Sequence, residues 1–221
     1  MLELEDDEDV SAAGGGAATV AFNSSQVDAV NRTVYTRTFA SIAAGKVVVS
    51  VTGGGGGTFT VSGITVGGAA TTEVISVADN EAVAGIWQLN DYAGGSSVDV
   101  VVTWTGTKGR CGVGVTVLGN AAAAASATAT SVANPSVPVG GIDVPANGAA
   151  VAVVFTNGST DRTHTWAELD EDFDEVIETT VGSHSGASKA FAAEQTALAI
   201  GATQSGTSTD EAFVAASWGP V

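Results

Sequence analysis

The sequence has little sulfur, little proline and few cations. Its 221 residues include one cysteine, four prolines and seven Lys and Arg. A single cysteine excludes an intrachain disulfide. Seven scattered cations cannot build the basic face that displaces counterions from phosphates, so nucleic acid is not an expected partner. An anionic membrane surface is disfavoured for the same reason. No apolar run approaches the ~20 residues of a spanning helix, and the Ala121–Ala125 run is short and weakly apolar.

Catalytic signatures are equally scarce. There is no Gly-x-Ser-x-Gly elbow. The Gly53–Gly57 run lacks the Lys-Ser/Thr of a phosphate loop and reads as a hairpin tip. Two histidines, His164 and His184, are too few for a convincing metal triad. A helical period is hard to find, and residues 187–197 could supply one short turn at most.

What is abundant is acid, glycine and small apolar residues. The chain has 24 Asp and Glu, a formal charge of −17, 29 glycines and 44% hydrophobic residues, mostly Ala and Val. That apolar content excludes a disordered chain, and the irregular glycines exclude collagen. Short β-branched runs recur from residue 19 onward. Gly and Asn/Asp pairs such as Gly67-Gly68, Asn90-Asp91, Gly119-Asn120 and Asn157-Gly158 read as the turns between them. Alternation is clean in Val98–Trp104, with Val98, Val100, Val102 and Trp104 on one face. Sheets with one apolar face must stack or close. The expected fold is therefore all-β, an antiparallel two-sheet sandwich of jelly-roll type, occupying residues 19–221 as a single domain. Two tandem sandwiches split near 120–130 are the alternative, and no internal sequence repeat argues for them. Cys111, in Cys111-Gly-Val-Gly-Val-Thr-Val117, reads as a small buried apolar side chain. Trp87, Trp104 and Trp218 read as core, and Trp166, in a polar stretch, as a candidate sugar-stacking platform.

Two acidic clusters stand out. Residues 1–18 form an acidic, then glycine-rich, N-terminal arm carrying Glu3, Glu5, Asp6, Asp7, Glu8 and Asp9. It is the opposite of a basic-then-apolar export signal, so synthesis in a cytoplasm, without export by a recognisable route, is expected. The alternatives for the arm are a solvated tail and a tether for a basic groove on a partner. The second cluster spans Glu168 to Glu178. Glu168, Asp170, Asp172 and Asp174 could offer oxygens to a hard cation such as Ca²⁺, although the spacing is not that of an EF-hand. A solvated loop is the other reading. Leu169 and Phe173 would pin it to the body. No paired carboxylates are set up for glycoside hydrolysis, and no convergent catalytic set is found, so an enzyme is not expected.

The phrases Thr60-Val-Ser-Gly-Ile-Thr-Val-Gly-Gly-Ala-Ala-Thr71, Ala84-Gly-Ile-Trp-Gln-Leu89, Val98-Asp-Val-Val-Val-Thr-Trp-Thr-Gly-Thr107 and Arg110-Cys-Gly-Val-Gly-Val115 carry a resemblance. Ile142–Val154, Trp166–Phe173 and Ala212–Trp218 continue it. Over roughly residues 45–218 the chain resembles virion-associated β-sandwich proteins of tailed bacteriophages, of the head decoration, spike or tail-fibre type. The resemblance implies a jelly-roll-like structural module on the virion surface. Its expected partner is the major capsid protein or another virion protein, and a homo-oligomer is expected. The arm lies outside the resemblance. A tail-fibre or baseplate adhesin recognising host surface polysaccharide is the alternative, and a lectin-like or polysaccharide-active domain a further one.

Overall fold

The computed structural model describes residues 15–132, 136–138, 141–158, 162–178 and 182–221. Among them there is no helix. The first half holds β1 (Thr19–Asp28), β2 (Arg32–Ile42), β3 (Gly45–Gly54), β4 (Val61–Val66), β5 (Ala69–Ala70), β6 (Thr72–Asp79), β7 (Ala82–Tyr92), β8 (Gly95–Lys108) and β9 (Arg110–Gly119). The second holds β10 (Ala127–Ser131), β11 (Ser136–Pro138), β12 (Ile142–Val144), β13 (Ala149–Asn157), β14 (His164–Ala167), β15 (Asp170–Glu178), β16 (Gly182–Ala190), β17 (Gln195–Leu198), β18 (Gly201–Gln204) and β19 (Asp210–Trp218).

Antiparallel pairs in the first half are nested like one long hairpin: β1 with β9, β2 with β8, β3 with β7, β4 with β5. The hairpin is rolled up, because β9 also pairs with β3 and β8 with β4. This winding is a jelly roll. The second half repeats it. β10 pairs with β19, β11 with β18, β12 with β17 and β13 with β16, and the roll closes through β19–β13 and β18–β14. Even the extra strand recurs, β15 beside β16 as β6 beside β7. The all-β antiparallel sandwich is thus present, and its roll occurs twice. Residues 120–126 carry the chain from one roll to the other.

The layers run outer, inner, inner, outer. The inner sheets are β1-β9-β3-β7-β6 and β10-β19-β13-β16-β15. Sheets buried on both faces need continuous apolar runs. On β3, Val47, Val49 and Val51 face the first roll's core, while Val48 faces the middle layer between the rolls. On β13, Ala150, Ala152 and Val154 face the second core, while Val151, Val153 and Phe155 face the middle. In β9, Cys111, Val113 and Val115 point into the first core, and Gly112 and Gly114 point to the middle. A Cβ on Gly112 would lie 2.5 Å from the His184 ring, and one on Gly114 2.6 Å from Phe173. The glycines are therefore sockets for those rings.

Contacts across the middle are largely reciprocal. β3 packs on β13; β1 on β15 matches β10 on β6; β9 on β15 and β16 matches β19 on β6 and β7. The same surface of each roll meets its counterpart, as in a two-fold dimer fused into one chain.

Three local expectations change. Residues 187–197 contain no helical turn; they belong to β16, a bend and β17. Asn90 and Asp91 are not a turn but lie inside β7. The acidic stretch 170–178 is an edge strand rather than a loop, because Phe173 and Ile177 anchor it in the middle layer.

Candidate functional site

The six arm carboxylates, Glu3, Glu5, Asp6, Asp7, Glu8 and Asp9, lie outside the described residues. The point where the described chain begins is tightly held. A Cβ on Gly15 would lie 1.2 Å from the Val221 carbonyl oxygen, so only glycine fits. Asn120 Nδ2 donates to the Ala17 carbonyl at 3.3 Å, and Ala18 N–H donates to the Asn147 carbonyl at 2.8 Å. Residues 15–18 are thus fastened to both rolls.

Every cation of the chain already has an internal partner. Arg32 and Arg37 meet Asp28, Arg110 Nε lies 2.6 Å from Glu178, and Lys189 lies 3.4 Å from Asp170. Lys108 is fully buried and donates to the Gly57 and Glu81 carbonyls at 2.7 and 2.9 Å; burial pulls its pKa down to about 8. Arg162 is held by the Thr207 carbonyl, and Lys46 by Asn90 and the Ala123 carbonyl.

The four carboxylates considered for Ca²⁺ are spread along the edge by alternation and by bulges between Glu171 and Phe173 and between Val176 and Glu178. Glu168 sits at a left-handed turn, and Asp170 is exposed beside Lys189. Asp172 is pushed up to about 6 by burial, against a hydrogen bond from Ser188. Asp174 accepts from His164 N–H at 2.8 Å and meets its Nδ1 at 2.9 Å. Glu175 accepts from Ser25 Oγ at 2.6 Å, and Glu178 is bound to Arg110. Among the described residues no group of three or more His, Cys, Asp or Glu is placed to hold a metal ion. The carboxylates act as ties between strands and between rolls.

Trp166 is turned inward. Its Nε1 donates to Ser185 Oγ at 2.8 Å and its ring lies 5.8 Å from Phe213, so one face is taken by the second core. Beneath it runs a buried polar cluster that the sequence did not announce. His164 Nε2 lies 3.4 Å from Thr156 Oγ1, which completes a carboxylate–imidazole–hydroxyl chain with Asp174. Thr156 and His164 are buried, so that chain joins β13, β14 and β15 with only its Asp174 end partly open to solvent. Nearby, Glu211 is 1% exposed and accepts from Gln204 Nε2 and Ser208 Oγ at 3.0 and 3.2 Å. Burial pushes its pKa up to about 7.

His184 is the other missed residue. It sits in the middle layer, its Nδ1 2.7 Å from Thr52 Oγ1 and its ring 4.4 Å from that of Phe173. Burial drives its pKa down to about 3, so it is neutral. The flanking glycines 182 and 186, two residues to either side, were the available signal.

The chain matches no protein family, no curated protein and no solved structure.

Proposed function

We propose that this protein is a structural component of the surface of a tailed-phage virion or phage-like particle, a head decoration or vertex-spike subunit docked through its N-terminal arm. The observation that carries the reading is a mismatch of charge. The arm has six carboxylates, while all seven cations of the chain are engaged internally. The arm's counter-charge must then come from outside, and a basic groove on a capsid subunit is the complement. Residues 15–18, clamped to both rolls, give such a tether a firm base. The two stacked rolls offer adhesion and shape. A subunit that binds only the assembled lattice stabilises it by mass action, and a symmetric lattice implies several copies around an axis.

Co-sedimentation with undecorated heads tests this. The full chain is expected to pellet with the heads in low salt and to be released as salt screens the arm. Removal of residues 1–14, which leaves the clamped residues intact, should abolish pelleting. Equal binding by the truncated chain would refute the tether.

A further inference from the structure

The register between β3 and β7 breaks at one place. Gly45 is opposite Tyr92 and Val47 is opposite Leu89, so Lys46 alone faces both Asn90 and Asp91. Two residues against one is a β-bulge, a device that re-aims side chains and is common beside reactive sites. Asp91 holds a left-handed φ of 53°, a conformation that Asp tolerates and that a bulge uses. Lys46 is 5% exposed, and its Nζ meets Asn90 Oδ1 and donates to the Ala123 carbonyl at 3.1 Å. Asn90 Nδ2 donates to the same carbonyl at 3.2 Å, which fixes the plane of the amide. Asp91 lines the same open cavity of about 270 Å³ as Lys46 and Asn90.

We propose that Lys46 and Asn90 form an intramolecular amide cross-link, with Asp91 as the proton shuttle. Burial lowers the pKa of the Lys46 ammonium, and the Asp91 charge opposes that only in part. A lysine desolvated in this way is a better nucleophile. The exposed Asp91 carboxylate, which makes no ion pair with Lys46, takes a proton from the ammonium across the open cavity by way of one water. The free amine adds to Asn90 Cγ, whose carbonyl electrons move onto Oδ1. The tetrahedral carbon then expels Nδ2, which takes the proton returned by Asp91 and the second proton of the Lys46 nitrogen and departs as ammonium. One C–N bond forms, one breaks, the new amide nitrogen keeps one hydrogen, and Asp91 is again a carboxylate. No oxidant, metal or cofactor is needed. The product staples β3 to β7 beside residues 120–126, where the first roll hands over to the second.

Intact mass under denaturing conditions reads the reaction directly. The full chain is expected to be lighter than its sequence by one ammonia relative to the Lys46→Arg variant, after allowance for the substitution itself. A chymotryptic digest should contain the segment holding Lys46 joined to the segment holding Asn90. Asp91→Asn keeps both reacting groups and should accumulate unlinked chain. An unaltered mass in the full chain would overturn the proposal. So would loss of water in place of ammonia, or loss of ammonia that persists in Lys46→Arg, which is a cyclised asparagine.

Discussion

The two rolls share a winding and differ in filling. The first core is built from Tyr35, Phe39, Trp87 and Trp104 among valines, whereas the second relies on Ala150, Ala152, Ala187, Ala202 and Ala215 around Phe213 and Ile200. Both rolls bury polar groups, Lys46, Gln88 and Lys108 in the first and Arg162, His164, Gln204 and Glu211 in the second, but only in the second do they include a carboxylate. One topology therefore tolerates two kinds of interior. What it requires is alternation along the strands and turns between them; the identity of the core side chains is free within volume. The polar interior has a consequence for the second roll, since buried ionisable groups make stability depend on pH.

The middle layer couples the two rolls. Phe155 lies over Gly54 of one roll and Gly182 of the other; a Cβ on those glycines would lie 2.3 and 2.9 Å from its ring. Phe155→Ala should cost about 3–5 kcal/mol, the largest effect expected. In denaturant titrations the tryptophan and backbone signals are expected to coincide in the parent and to separate in this variant as the rolls uncouple. Gly112→Ala should cost about 1–3 kcal/mol by overpacking against His184. The thermal midpoint checks it, and His184→Ala in the same chain should restore most of the loss.

Acid titration sharpens the contrast between the two buried groups. Glu211 is raised from 4.5 to about 7, so the folded state binds its proton more tightly than the unfolded chain does. Its favourable contribution is complete below pH 4.5 and is lost as pH rises through 7. His184 is lowered from 6.5 to about 3, so its contribution is complete above pH 6.5 and is lost as pH falls through 3. Glu211→Gln should flatten the stability profile between pH 4.5 and 7, while His184→Gln should flatten it between 3 and 6.5. Chemical denaturation at each pH separates them. The smallest effect belongs to the Arg110–Glu178 pair, which joins the rolls with its carboxylate 45% exposed. Arg110→Ala should cost about 0.2–1 kcal/mol and become silent at high salt.

Most strands were legible because their side chains alternate. Val98–Trp104 and the Cys111–Val117 phrase each show one face of a sheet in the sequence. β16 was not legible. Its Gly182 and Gly186 are reduced to admit Phe155 and Phe173, His184 stands between them, and its Ser183 and Ser185 serve the polar cluster, so no apolar run remains. The doubling was hidden for a related reason. The rolls repeat a path and not a core, and valines in one are alanines in the other. β15 was obscured by its acids, whose partners, the Ser25 hydroxyl and the Arg110 guanidinium, are far away in the chain. Asn90-Asp91 suits a turn and a bulge equally, since both use left-handed backbone. Only the register reveals which it is.

Imaging assembled particles with and without the protein tests the functional claim most directly. Extra density is expected at symmetry positions on the shell, with the Gly15 and Val221 end facing a basic groove. A particle without such density, with the protein remaining free and monomeric in solution, would contradict it.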